Sequence, residues 1–94
     1  MDFEWDQNKE TENIRKHGIS FTEASECFRD HFGLSIFDEN HSSAEDRYYF
    51  VGKSNSGRII TVRFVSRGDK YRIFGAAEWR KFRELYERTK DEWS

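Results

Sequence analysis

Apolar positions along this chain follow two periods. Up to about residue 33 they recur at helical spacing, from Leu34 they alternate or cluster as in strands, and beyond Gly75 the helical spacing returns. Phe3-Glu4-Trp5 reads as a short strand. Asp6 suits the N-cap of a first helix running to about Lys16, and Gly18 supplies the left-handed residue that ends it. Ser20-Phe21-Thr22-Glu23 fits a capping box, with Glu23 reaching back to Ser20. The second short helix that follows buries Phe21, Ala24, Cys27 and Phe28.

Leu34 to Phe37 is a predicted strand, and Asp38 to Ala44 a polar loop. Arg47 to Lys53 and Arg58 to Val65 are predicted strands joined by Ser54-Asn55-Ser56-Gly57, a hairpin signal. Lys70 to Phe74 follows as a last strand after a turn at Arg67-Gly68. A final helix from Ala76 or Ala77 places Trp79, Phe82, Leu85 and Tyr86 on one stripe. The expected fold is a single α+β domain over 1–94, an antiparallel sheet with two N-terminal helices and a C-terminal helix against one face.

Composition narrows the class. Ninety-four residues make one domain with one modest core, and aromatic residues, 17% of the chain, supply much of its buried area. No apolar run approaches 18 residues and none follows Met1, so neither a membrane span nor a signal peptide is expected. The single Cys27 cannot form an internal disulfide, which fits a reducing cytoplasm, and its place on an apolar stripe makes it a packing residue.

A net charge of −2 hides a split. Residues 1–46 hold twelve acids and four bases, residues 47–83 ten bases and two acids, and residues 84–94 four acids and two bases. A central segment at +8 within an acidic protein is an electrostatic footprint for a polyanion, though a solvated surface is the plainer alternative.

Two-residue hairpin loops at Asn55-Ser56 and Arg67-Gly68 place Tyr48 opposite Arg63 and Arg63 opposite Arg72. Ile60, Val62, Phe64, Tyr71 and Ile73 then form the core face. Tyr48, Phe50, Thr61, Arg63, Lys70 and Arg72 form the other. Two arginines directly opposed are destabilising unless something binds between them, and a phosphate would serve. A bulge breaks this register, and a slip of one residue turns Tyr48 into the core.

The strings Phe3-Glu4-Trp5-Asp6, Lys9, Asn13, Lys16-His17-Gly18-Ile19-Ser20-Phe21 and Glu23-Ala24 open a wider pattern. It continues at Asp38, His41-Ser42, Glu45-Asp46-Arg47 and Gly52, and from Arg58 through Arg67-Gly68-Asp69 to Arg72-Ile73. Over residues 3 to 74 the chain resembles the BrnT-type ribonuclease toxins of bacterial type II toxin–antitoxin systems. The resemblance implies a RelE-like fold and metal-independent RNA cleavage by attack of a ribose 2′-oxygen, leaving a cyclic phosphate. No cofactor or metal is expected. The implied partners are RNA, including ribosome-associated mRNA, and a cognate antitoxin in a heterotetramer of two toxins and two antitoxins. Operator DNA would be contacted only through the antitoxin.

That chemistry needs a base, cations for the developing phosphorane charge, and an acid for the leaving oxygen. Arg63 and Arg72 are the expected charge stabilisers, with Lys70 beside them or moving a proton. His41, in a loop beside the sheet, is a candidate acid–base group. His17 is another, although a residue just before a helix-ending glycine more often caps the last carbonyls. Tyr48, Arg47, Arg67, Arg80 and Lys81 are the expected RNA contacts, with Arg47 alternatively anchoring its loop through Asp46 or Glu45. Asp38, His41 and Glu45 match no recognised metal spacing.

Three positions, in two places, depart from the family pattern. Phe64 stands where a His is common, and Gly75-Ala76-Ala77 stands where a Ser-Ala-Arg run is common. Arg80, Lys81 or Arg83 would then compensate for the missing Arg. A catalytically degenerate module that binds RNA or an antitoxin is the second reading, and a purely structural domain using Trp79, Phe82 and Trp93 the third.

Overall fold

The computed structural model describes residues 1–93. Helix α1, Gln7–His17, begins where the Asp6 carboxylate accepts from the amides of Asn8 and Lys9, at 2.8 and 3.1 Å. It ends at Gly18, whose φ of 67° lets its N–H return to the Ile14 carbonyl. Ser20 caps α2, Phe21–Glu26, through the Glu23 amide at 3.0 Å. Only that half of the expected capping box forms. The Glu23 side chain turns instead to Arg58, Ser54 and Ser56, gaining a cation and two hydroxyls.

Five strands make one sheet: β1, Asp2–Trp5; β2, Leu34–Phe37; β3, Arg47–Lys53; β4, Ile59–Arg67; and β5, Lys70–Ala77. Their order is β1-β5-β4-β3-β2. The sheet is mixed rather than antiparallel, because β1 lies parallel to β5, with Glu4 beside Arg72. A closing helix, α3, spans Arg80–Trp93. It starts later than its apolar stripe suggests, because β5 continues pairing to Ala77 opposite Thr61.

Beyond Trp5, β1 gives way to α1, which would leave the outer edge of β5 bare. Asn13 fills that role. Its amide donates to the Ala76 carbonyl at 2.9 Å and accepts from the Ala76 amide at 3.1 Å, as a neighbouring strand would. Its second N–H goes to the Ile19 carbonyl at 2.9 Å.

The helices cover both faces of the sheet, not one. On the first face, Ile19, Phe21, Ala24 and Cys27 pack on Ile60, Val62, Phe64, Ile73 and Ala76, with Tyr48, Phe50 and Phe28 against them. On the second, Tyr86 and Phe82 of α3 cover Val51, Ile59, Leu34 and Ile36. Helix α3 reaches only part of that face, leaving the β4–β5 end open.

Both expected hairpin registers shift. Residues 54–58 form the β3–β4 loop, so Tyr49, not Tyr48, faces Arg63, and Tyr48 packs inward on Phe64. The β4–β5 turn is Gly68-Asp69, because the left-handed glycine (φ 63°) takes the first loop position, and Val65 rather than Arg63 faces Arg72. A bulge then follows: Phe64 faces Ile73 while Arg63 faces Gly75, leaving Phe74 as the extra residue.

Candidate active site

The bulge decides what this face can do. Phe74, squeezed out of the ladder, turns its ring towards two cations: the Arg47 guanidinium lies 5.0 Å from its centroid and that of Arg63 5.3 Å. The expected pair of Arg63 and Arg72 does not form; Arg47, not Arg72, shares the Phe74 ring with Arg63. Among the described residues, neither Arg47 nor Arg63 has a carboxylate partner, whereas Arg72 is held by Glu4 at 2.9 Å and Arg67 by Glu45 at 3.1 Å.

Arg63 owes its position to a glycine. Its guanidinium lies across the backbone of Gly75, where a Cβ would come within 2.5 Å of Nε and 2.7 Å of Cζ. From there it borders a cleft of about 440 Å³, closed on its far side by one face of α1 carrying Lys9, Glu12, Lys16 and His17. Glu12, paired with Arg15, is the one acid of this lining against the cations Lys9, Lys16 and Arg63, so the cleft is predominantly cationic. Arg58 fixes the end of this wall, donating to the Gly18 carbonyl at 3.0 Å while paired with Glu23. The Arg58 contact holds the Glu23 carboxyl down at about 2 against burial, with the Ser56 and Ser54 hydroxyls adding to it.

On the other side of Arg63 lies a chain of hydrogen bonds. Tyr49, its neighbour on β3, bonds to Asp38, and His41 Nδ1 reaches the same carboxylate at 2.9 Å. Burial pushes the Asp38 carboxyl up, but the bonds from His41 and Tyr49 together hold it below its ordinary value. Burial raises the Tyr49 hydroxyl, and Asp38 raises it further. The imidazole of His41 is thus committed to a loop contact rather than to the cleft.

The other expected residues scatter. Lys70 sits opposite Arg67 at the distal hairpin, five residues along β5 from Gly75 and roughly 17 Å away at strand rise. Tyr48 is turned into the core. The Arg47 backbone, not its side chain, anchors the preceding loop, through Ser42 Oγ and the Asp38 amide. Arg80 faces a separate hollow with Arg83 and Glu87, and Lys81 lies 5.8 Å from the Phe82 ring. Phe64 is buried among Phe28, Tyr48 and Tyr71, on the opposite face from Arg63. Ala77 lies on the Arg63 side, two residues beyond Gly75. Lys9, Lys16, Tyr49 and Phe74 were not among the expected site residues. Positions 9, 12, 13 and 16 share one face of a helix, a signal present in the spacing.

A small α+β domain with two arginines that lack a carboxylate partner among the described residues, beside a cationic cleft, presents a surface electrostatically suited to a polyanion. The profile of a family described as the ribonuclease toxin BrnT of type II toxin–antitoxin systems matches residues 5–82. The chain belongs to that family. The 1.1 Å crystal structure of the Brucella abortus ribonuclease toxin BrnT has a similar fold. Its TM-score is 0.62 at 24% identity, over 84% of this chain and 96% of that one. No curated protein matches the sequence. Family membership implies an antitoxin partner. Among the described residues, no helix is long and apolar enough to cross a membrane.

Proposed function

We propose that this chain is a metal-independent endoribonuclease whose active site is the cleft between α1 and the Phe74 bulge, silenced when a cognate antitoxin covers it. The observation that carries this reading is the Arg63 guanidinium, laid flat on Gly75, without a carboxylate partner among the described residues, and lining one cleft with His17 and two lysines. Arg63 and Arg47 bind the non-bridging oxygens of the scissile phosphate and stabilise the charge that builds as the 2′-oxygen attacks phosphorus. His17 takes the 2′-hydroxyl proton. As the P–O5′ bond breaks, an ammonium of the same wall, Lys9 or Lys16, protonates the leaving oxygen. The products are a cyclic phosphate and a free 5′-hydroxyl. Ribosome-bound mRNA is the substrate implied by the family, and the assembly with antitoxin is a heterotetramer that meets operator DNA through the antitoxin.

The test is incubation of purified chain with a defined RNA in EDTA, with the product ends read. Wild-type chain and Arg72→Ala should cleave and leave cyclic phosphates. Arg63→Ala, Arg47→Ala and His17→Asn should lose about 10²-fold or more. Cleavage undiminished in Arg63→Ala would overturn the placement. One observation favours the degenerate reading: Ala77 fills the position where the resemblance expects an arginine on the Arg63 side of the sheet. Salt-sensitive RNA binding without cleavage by folded wild-type chain, with or without ribosomes, would establish it.

A further inference from the structure

A second hollow, of about 370 Å³, opens on the same sheet face on the far side of Arg63 from the cleft. Tyr49 forms its floor and is the direct cross-strand partner of Arg63. Trp79 forms its wall, leaning on Tyr49 with ring centroids 5.5 Å apart and stacked near-parallel on Phe82 at 5.8 Å and 21°. Although this indole packs on two other rings, it remains 38% exposed. Lys81 stands at the rim, and the exposed Glu39 and Asn40 side chains at the mouth.

We propose that this hollow is a nucleobase subsite, in which the unpaired base next to the scissile phosphate stacks on Trp79. The proposal rests on the assignment of Arg63 as the phosphate-binding residue. Three features favour a base over a protein side chain. The platform is a flat, half-exposed indole whose orientation Tyr49 and Phe82 already fix, so stacking costs little further ordering. Its floor, Tyr49, is the cross-strand neighbour of Arg63, the residue assigned to the phosphate, and such neighbours lie about 5 Å apart. The mouth is polar, with Glu39 and Asn40 offering acceptors and a donor to a base edge, and Lys81 a cation to the next phosphate. Stacking needs an unpaired base, so single strands should use the subsite and duplexes should not.

The experiment is fluorescence anisotropy with the full chain and a short labelled 2′-O-methyl RNA, which offers no 2′-hydroxyl and cannot be cleaved. Trp79→Ala should weaken single-strand binding about tenfold, within the range of one lost base stack. Trp79→Phe should restore most of the affinity, and Trp93→Ala, at an exposed indole at the far end of α3, should leave it unchanged. A blunt duplex of the same sequence should bind Trp79→Ala and wild type equally. Circular dichroism verifies that each variant is folded. Single-strand affinity unchanged in folded Trp79→Ala overturns the subsite, as does a loss confined to antitoxin binding, which would make the patch a protein interface. Because the probe is uncleavable, Trp79-dependent binding by a chain without nuclease activity would fail only the enzymatic reading. Cleavage with Trp79-independent binding would fail only this one.

Discussion

Gly75→Ala is the sharpest perturbation of the proposed site, because it touches no reacting group. A methyl at Gly75 would sit 2.5 Å from Arg63 Nε and 2.7 Å from Cζ. Ordinary contact needs about 3.5 Å, so the guanidinium must lift by roughly 1 Å. The end of an arginine does that cheaply, and Gly75 has no positive φ to forbid a side chain. The fold should therefore lose nothing and gain a few tenths of a kcal/mol from the less flexible unfolded chain. Catalysis should not be spared, since a misplacement of about 1 Å can cost on the order of 10²-fold in rate. Single-turnover cleavage of a fluorogenic RNA, read beside the melting temperature, separates the two effects. The Gly75→Ala/Arg63→Ala double variant should be no slower than Arg63→Ala alone if the methyl acts only through the guanidinium. Cleavage by Gly75→Ala within twofold of wild type, or losses that add in the double variant, would refute the reasoning.

Three further outcomes test the scaffold. Asn13→Ala strips partners from the buried edge of β5 at Ala76 and from the Ile19 carbonyl, and should cost about 3 kcal/mol, a fall of roughly 15 °C in melting temperature by calorimetry. Glu23, held at about 2 by Arg58 against an ordinary 4.5, gives stability that is fully present above pH 4.5 and lost as pH falls towards 2. Urea titrations should find Glu23→Gln weaker than wild type by up to about 3 kcal/mol at pH 7, the gap closing near pH 2; a gap independent of pH would contradict the linkage. Cys27 is fully buried, its thiol pushed up to about 12 by burial and by the nearby Glu23, Glu26 and Asp30 carboxylates. It should resist Ellman's reagent at pH 8 until the chain is unfolded; native labelling within minutes would contradict that.

Local chemistry and the core face of β4 and β5 (Ile60, Val62, Phe64, Tyr71 and Ile73) were legible in this sequence, whereas cross-strand register and the facing of Tyr48 and Phe50 were not. Asp6, Gly18 and Ser20 mark helix ends by what their own side chains or φ angles do, so they read correctly one residue at a time. Which residue a strand position faces across the ladder depends on counting through loops, and each of those counts failed by a small step. One residue in the β3–β4 loop exchanged Tyr48 for Tyr49, and the turn at Gly68-Asp69 together with the bulged Phe74 moved Arg63 from Arg72 to Gly75. The parallel β1 and the side taken by α3 are long-range choices that no local pattern encodes. The expectation that Arg63 and Arg72 share a ligand rested on that register and goes with it, since Arg72 is held by Glu4. The structure supplies Arg47 across the Phe74 ring instead. The departures from the family pattern divide in the same way. Phe64 faces the core, so its lost histidine removes nothing from the cleft, whereas Gly75 lies under Arg63. A serine at 75 would bring the same Cβ against the guanidinium as alanine, so the flat arginine requires this glycine. Within the departing run, the missing arginine falls at Ala77, while Gly75 is the residue on which the proposed phosphate contact depends.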